Sequence, residues 1–227
     1  MIQSALAPPG NIAAELDRFH VTRQKTLGAL QQVTSEQAAW APRAGVWSMA
    51  QIADHLLRSE ELYREQFGRL IQMAADGKGN TLYVSIQEVD TSLAMVPREV
   101  MALFEVPFRM LNMFVPSVVR ETMVRYRFIA ALNPKVSEPR SGLTLEKLQE
   151  DLAESMAQTE QLFSQPMPAN VERLTISHPI MGNNNIVEML RIMIAHEERH
   201  RGQMSTLRAD PGFPKTGSFS RKSSSIT

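Results

Sequence analysis

Four long segments of the chain have the periodicity of an α-helix, and this feature constrains the fold more than any other. Apolar residues recur every three or four positions in segments of about 11–33, 48–75, 144–165 and 185–208, which is the spacing of one face of a helix. The alternation of apolar and polar residues that marks strands is nearly absent. The sequence therefore predicts an all-α protein with four principal helices.

Signals at the ends of these segments support their limits. Ser48 and Gln51 have the spacing of a capping box at the start of the second helix, and Asn185 is placed to cap the fourth. Pro166 follows the third helix and is typical of a helix end. The apolar face of the first helix is expected to contain Ile12, Leu16, Phe19, Gln24, Leu27 and Leu30.

The connection between the second and third helices is unusually long. Its stretch at 77–140 is apolar, rich in methionine and interrupted by prolines. We interpret it as short helices that add to the core, or as a lid over a pocket, since methionine adapts to irregular apolar ligands. Residues 1–210 are expected to form one domain, and the Gly-, Pro- and Ser-rich tail at 211–227 is expected to be disordered.

The composition excludes several kinds of function. The net charge is zero, which gives no support for a nucleic-acid surface or a basic membrane patch. The chain has no cysteine, so disulfides, thiolate ligands and a cysteine nucleophile are excluded. A metal ion would need His, Asp, Glu or water. Because no signal peptide or membrane span is visible, we expect a cytoplasmic protein.

The motif His196-Glu197-Glu198-Arg199-His200 indicates a metal site on the fourth helix. Residues four apart on a helix differ by about 6 Å in rise and about 40° in angle, so both histidines can bind one ion. They lie in the same stripe as Met189, Met193, Gln203 and Leu207. His55, at the edge of the stripe on the second helix, is expected to be the third ligand. Three protein ligands with open positions are typical of a catalytic metal.

The same motif also fits the H-E-x-x-H signature of zinc proteases, but the rest of the chain argues against that function. The residues after His200 contain no further His or Glu, and Gln203 and Thr206 stand where an extended protease motif has its glycine and last histidine. Glu197 is expected on the side or outside of the helix, as a solvated or supporting residue, about 60° from His200. It is therefore not expected to be a general base.

Three stretches together resemble the DinB-like family of helical-bundle metalloproteins, which includes bacillithiol transferases and mycothiol-dependent enzymes. They are WSMAQIADHL (47–56), ISHPIMGNNNIVEMLRIMIAHEERHRGQM (176–204) and the linker around Trp40. The first is similar to the family's Trp-Ser start of helix two, and the second to its His-Pro-x-x-Gly loop and His-x-x-x-His-x-x-Gln helix. The resemblance extends over about residues 11–208.

This resemblance implies a four-helix bundle with a long crossover connection, often dimeric, and a divalent metal on His55, His196 and His200. Zinc, nickel, iron and manganese all suit three imidazoles. The implied function is a metal-dependent enzyme on small molecules, a thiol S-transferase or a hydrolase, with a low-molecular-weight thiol or water activated by the metal. The alternative is a non-catalytic stress-response or small-ligand-binding bundle.

Three other polar residues outside the predicted ligand set have expected roles of their own. Gln203, one turn after His200, is expected to bond a ligand or water near the metal. His178 is expected to anchor its loop by bonding nearby backbone, with contact to substrate as the alternative. His20, beside Phe19, is expected to be a surface or satisfied histidine.

Overall fold

Most of the described chain is helical in the computed structural model, which describes residues 10–85, 88, 119, 122, 137–168, 171–179 and 181–215. Four long helices are α1 (Gly10–Gln31), α3 (Met49–Ala75), α4 (Leu145–Ser164) and α5 (Ile186–Ala209), and α2 (Ser35–Ala39) is short. The four predicted helices are therefore confirmed within about two residues at each end. The short α2 was not predicted and lies in the linker before α3.

The helices begin where side chains can satisfy the first backbone N–H groups. Ser48 and Gln51 form a complete capping box at α3, and Asn185 and Glu188 form one at α5. Thr144 accepts a hydrogen bond from the backbone of Lys147 at the start of α4. Such caps contribute about 1 kcal/mol each, and they explain why local sequence located these helix ends well.

The long helices pack in pairs around a common interior: α1 lies against α4 and α5, and α3 also lies against α4 and α5. The apolar interior consists of two clusters. One contains Phe19, Phe67, Phe163 and Met193, and the other contains Leu30, Met49, Leu56, Leu152 and Met204. A group of buried polar side chains in mutual contact also lies in the interior. It includes Arg23, Glu60, Thr159 and Glu197.

One residue assigned to the apolar face of α1 was wrong. Gln24 is exposed, and the buried position next to it is Arg23. Arg23 follows Phe19 by four residues and precedes Leu27 by four, so it lies within the apolar stripe itself. An arginine in the middle of an apolar stripe is a signal for a buried ion pair, because an unpaired buried charge is strongly unfavourable.

The expected all-α fold class is confirmed, because the described residues are mostly helical, but a small sheet was not predicted. The described residues also contain a three-stranded sheet in the order β1 (Thr81–Tyr83), β2 (Thr175–His178) and β3 (Gly182–Asn185). β1 pairs with β2 in parallel, and β2 pairs with β3 in antiparallel. The segment Gly-Asn-Asn-Asn has little strand propensity. Pairing with β2 therefore makes it a strand.

The sheet carries the start of α5. Gly182 has φ +70 and pairs with His178 at the turn between β2 and β3, a conformation that favours glycine. The Asn184 side chain is fully buried and donates to the carbonyl oxygens of Met181 and Gly182 at 2.9 and 3.2 Å. β3 ends at Asn185, the cap of α5, so the turn fixes where the histidine-bearing helix begins.

The long connection and the tail fall only partly within the described residues. β1 belongs to the predicted insertion at 77–140, but the interpretation of residues 86–136 as short helices or a lid concerns a stretch that lies almost wholly outside the described residues.

The beginning of the tail contacts the linker before α3. Phe213 packs edge-on against Trp40 with ring centroids 5.5 Å apart, and the Gln37 side chain donates to the Pro214 carbonyl at 2.7 Å. The beginning of the predicted tail is thus ordered, and residues 216–227 lie outside the described part. None of the described helices combines the length and apolarity needed to cross a membrane.

Two truncations should separate the ordered part of the tail from the rest. A chain ending at Asp210 loses the contact of Phe213 with Trp40 and is expected to melt several degrees lower, because burial of an aromatic ring contributes about 1–3 kcal/mol. A chain ending at Lys215 keeps that contact and should melt within about a degree of the full chain. Thermal unfolding followed by circular dichroism measures both. Equal melting temperatures for the two truncations would show that the contact does not stabilise the fold.

Candidate metal centre

Three histidines from two helices meet in the interior. His55 comes from α3, and His196 and His200 come from α5. The Nε2 atom of His196 lies 3.2 Å from that of His55 and 3.1 Å from that of His200. His55 and His200 are each 2% exposed. The structure therefore brings together the three residues that the sequence analysis selected, and it places His55 well inside rather than at an edge.

The spacing of these nitrogens suits a metal ion. Imidazole nitrogens bound at about 2.0–2.2 Å to one tetrahedral or octahedral ion lie about 3.0–3.5 Å from each other, and the two measured separations fall in this range. Among the described residues, the cluster has three histidines and no carboxylate. Three imidazoles fit a divalent ion and leave further coordination positions open.

His55 is held by a backbone carbonyl from the end of the long connection. Its Nδ1 donates to the Ser137 carbonyl oxygen at 2.7 Å, which fixes the proton on Nδ1 and leaves the Nε2 lone pair facing the other histidines. Asp54 fixes this segment, since its carboxylate accepts from the backbone N–H of Arg140 at 2.6 Å and from its guanidinium at 2.6 Å. Arg58 also donates to the Glu138 carbonyl.

Trp47 forms a wall beside the histidines. Its ring centroid lies 4.8 Å from that of His55 and 6.3 Å from that of His200, nearly parallel to the latter. The residue also lines a cavity of about 510 Å³ that reaches His200, Arg199 and Gln203. The histidine cluster is thus closed on one side by an aromatic ring and borders a space large enough for a small molecule.

Burial favours the neutral form of two of the histidines, His55 and His196, by lowering their pKa values. Desolvation lowers the pKa of His55 to about 4, although the hydrogen bond to Ser137 acts in the opposite direction. The pKa of His196 is lowered well below its usual value, first by burial and then by the neighbouring His200 and His55. Neutral imidazoles at physiological pH are the form that binds a metal.

A model of one protein family matches residues 18–204, and it is described as the DinB superfamily. The chain belongs to the DinB superfamily. The match covers all three histidines and both ends of the long connection, which confirms the resemblance inferred from the motifs. Searches of characterised proteins and of solved structures gave no match.

The position of Glu197 in this DinB superfamily protein differs from the expected one. Glu197 is 1% exposed rather than solvated. Both of its carboxylate oxygens accept from Arg23, at 3.0 and 2.9 Å. Arg23 also contacts the Glu60 carboxylate at 2.8 Å, and Thr159 donates to Glu60 at 2.7 Å. Glu197 therefore belongs to a buried ion-pair cluster next to the histidines.

The pattern on α5 contained the signal for this burial. Glu197 follows Met193 by four residues and precedes His200 by three, so it shares their side of the helix. The predicted exposure of Glu197 was wrong because it assumed one inward face for α5. This helix is buried on several sides, since the four successive residues Ile192–Ala195 are all buried. A helix buried on several sides has no single inward direction.

The other predicted polar residues have distinct positions. Gln203 lines the cavity beside His200. His178 lies in β2, not in a loop, and its Nδ1 accepts from the backbone N–H of Met181 at 3.1 Å. This is the expected role as an anchor of nearby backbone, and His178 is not part of the cluster of three. His20 is exposed and contacts Glu160 at 2.8 Å, as expected for a surface histidine.

The lowered pKa values predict a pH-dependent stability in the presence of a chelator. His55, whose pKa has the usual value of 6.5 in an unfolded chain and is about 4 in the folded protein, binds more protons in the unfolded state below pH 6.5, so stability falls as the pH decreases through this window. For His55 the loss between pH 7 and pH 5 is about 2 kcal/mol. Urea unfolding at the two pH values measures it. In the variant His55→Gln the dependence should be weaker, and an unchanged dependence would contradict the assignment to His55.

The carboxylate of Asp54 should affect metal affinity without touching the metal. In Asp54→Asn the clamp on Arg140 weakens, so the Ser137 carbonyl holds His55 less firmly. Loss of such supporting contacts typically lowers metal affinity 10–100-fold. Competition with a fluorescent chelator measures this, and Asp76→Asn, which weakens an exposed pair with Lys78, is the control. Equal affinities of the two variants would rule out a role of the clamp.

Proposed function

We propose that this DinB superfamily protein binds a divalent metal ion through His55, His196 and His200 and acts as an enzyme on small molecules. The observation that carries the proposal is the convergence of the Nε2 atoms of two buried histidines and one half-buried histidine at metal-ligand spacing, next to a cavity of about 510 Å³. Three protein ligands with open positions resemble a catalytic rather than a structural site. The reaction is of the thiol S-transferase or hydrolase type.

The residues around the three histidines would each have a different role in the reaction. A divalent ion would act as a Lewis acid that makes water or a small thiol nucleophilic at neutral pH. His55, fixed by Ser137, provides a lone pair of defined direction. Trp47 shields the cluster on one side, and the Gln203 amide in the cavity wall offers a donor and an acceptor for a bound ligand. Because the chain has no cysteine, a sulfur nucleophile must come from a small molecule.

The three imidazole ligands restrict the ion to a few divalent metals. Imidazole suits zinc, nickel and iron, and sites with open positions also accept manganese. A low-molecular-weight thiol as cosubstrate would favour the softer ions of this group. We further propose a homodimer, which light scattering of the purified protein would reveal as a mass of two chains.

Metal content and activity of matched variants test the proposal. The wild-type protein and His196→Ala are compared for bound metal by mass spectrometry, for transfer of a small thiol to an aryl halide, and for hydrolysis of an activated ester. His20→Ala is the control, because His20 is an exposed histidine outside the cluster. We expect about one ion per chain and a metal-dependent reaction in the wild type and in His20→Ala, and neither in His196→Ala.

Two results would contradict the proposal in different ways. If His196→Ala retains the metal content of the wild type, the three histidines are not the ligands. If the metal binds through these histidines but neither reaction depends on it, the alternative of a small-ligand-binding protein without catalysis takes its place.

A further inference from the structure

A further, much smaller cavity lies between the three histidines and the buried ion-pair cluster. Its volume is about 10 Å³, and a single water molecule needs about 10–15 Å³. Six polar side chains from α1, α3 and α5 contribute to its wall, namely Arg23, Ser59, Glu60, Tyr63, His196 and Glu197. The rest of the wall is apolar. The cavity therefore has the size and the polarity to hold one water molecule, and it is too small for an organic ligand.

One carboxylate oxygen of Glu60 in this wall lacks an aligned hydrogen-bond donor. Glu60 is 2% exposed, and its Oε1 accepts from Thr159 at 2.7 Å. Its Oε2 lies 2.8 Å from Nη2 of Arg23, close enough for an ion pair, but none of the described residues donates a hydrogen bond to it. The same Nη2 donates to Glu197 at 2.9 Å instead. A buried acceptor in this state usually has an ordered water as its partner.

His196 has a ring nitrogen with the matching requirement. Its Nε2 faces the other two histidines, so binding of an ion there leaves the proton on Nδ1. Ligating histidines almost always donate this second N–H to a carboxylate, a carbonyl or a water. For His55 the acceptor is the Ser137 carbonyl. Nδ1 of His196 makes no hydrogen bond with the described residues, but His196 lines the small cavity.

A water molecule satisfies both groups at once, because it can accept from His196 Nδ1 and donate to Glu60 Oε2. The hydroxyls of Ser59 and Tyr63 in the same wall make no hydrogen bond with the described residues, so they can supply the third contact that a buried water typically makes. A cation is disfavoured, because the guanidinium of Arg23 lies 2.8 Å from the same oxygen of Glu60.

We propose that this cavity binds one water molecule that links His196 Nδ1 to Glu60 Oε2, and that Glu60 orients His196 as a metal ligand through this water. The proposal rests on the proposed function, because it assigns the orientation of His196 to its role as a ligand. Glu60 is then a positioning residue that does not touch the metal. The buried ion-pair cluster gains a role at the metal site, since Arg23 and Thr159 hold Glu60 in place.

High-resolution crystal structures of the wild type test the water itself, with zinc bound and after treatment with a chelator. We expect a water within about 2.7–3.2 Å of both His196 Nδ1 and Glu60 Oε2. A dry cavity, or a water that contacts Glu60 but not His196, would overturn the proposal. Zinc that does not bind at the histidines would contradict the proposed function, and a bridging water in the chelator-treated crystal would still support the water site.

The variant Glu60→Gln tests the positioning role. It should lower the affinity for zinc about tenfold, the lower end of the range for supporting residues near a metal, as measured by competition with a fluorescent chelator. Thr159→Val is the matched control, because Thr159 donates to the other oxygen of Glu60 and does not line the cavity. It should lose stability without losing affinity. Equal affinities of the two variants would overturn the positioning role, and far-UV circular dichroism checks that both are folded.

The ring N–H of His196 gives a signature that a purely structural role of Glu60 would not change. In the zinc-loaded protein labelled with ¹⁵N, the Nδ1 proton should exchange slowly with solvent and give a resolved signal, because the bound water holds it inside the cavity. In Glu60→Gln the signal should shift or broaden, and in Thr159→Val it should stay. A wild-type Nδ1 proton that exchanges as fast as an exposed one would overturn the proposal even if Glu60→Gln does not fold.

Discussion

Replacing His55 by alanine is expected to remove the bound metal while the protein stays folded. His55 supplies one of three converging nitrogens, and loss of even a supporting residue near a metal lowers affinity 10–100-fold, so loss of a ligand should exceed about 100-fold. The lost hydrogen bond to Ser137 and the small cavity should reduce stability by about 1–3 kcal/mol. This is less than the stability of an ordinary domain.

Metal content by mass spectrometry and helicity by circular dichroism should be measured on the same sample of His55→Ala. His20→Ala serves again as the matched control, because it removes an exposed imidazole that contacts only surface residues. Loss of metal together with loss of helicity would mean that the ion is structural. Retention of full metal content would remove His55 from the set of ligands.

Replacing Arg23 by methionine is expected to have the largest effect on stability. Arg23 is 1% exposed and contacts Glu197, Glu60 and the Leu152 carbonyl, the last at 2.6 Å. Burial alone would lower the pKa of Arg23, but the two carboxylates raise it above its usual value. Without the guanidinium, the buried Glu197 loses its ion-pair partner, and among the described residues Glu60 keeps only the hydroxyl of Thr159 and a contact with Arg64 at 3.9 Å. Breaking a buried pair in this way costs about 3–5 kcal/mol.

Urea unfolding of Arg23→Met should be compared with that of Arg18→Met. Arg18 lies on the same helix and pairs with Glu15, but it is about half exposed, and exposed pairs contribute about 0–1 kcal/mol. Similar small losses in both variants would show that the buried cluster does not stabilise the fold. In that case the buried ion-pair cluster would have its role at the adjoining histidines rather than in the stability of the fold.

The variant Glu197→Gln tests whether the H-E-x-x-H motif acts as it does in a zinc protease. Glu197→Gln keeps the shape of the side chain but weakens the pairing with Arg23, so it should reduce stability and leave metal content unchanged. In an H-E-x-x-H peptidase the corresponding Glu acts on the water at the metal. Here both oxygens of Glu197 are bound to Arg23, and a general base must be within hydrogen-bond reach of the proton it removes.

The sequence by itself determined the helices and the identity of the three histidines. Capping residues such as Ser48 and Asn185 act on the adjacent backbone, so their effect can be predicted from neighbouring positions. The i,i+4 spacing of His196 and His200 places them on one side of any helix. His55 could be added because the apolar stripe of α3 indicated its direction.

Only the tertiary structure decided the features that depend on distant partners. The strand Gly182–Asn185 exists because β2 lies beside it, although its own residues have low strand propensity. Glu197 pairs with Arg23, 174 positions away, and although its position on α5 indicates burial, no local pattern on α5 contains that partner. Likewise, the Ser137 carbonyl that orients His55 comes from a segment 82 residues further along the chain. Local rules act over a few residues, whereas charge pairing, strand pairing and cavities arise only when distant segments meet.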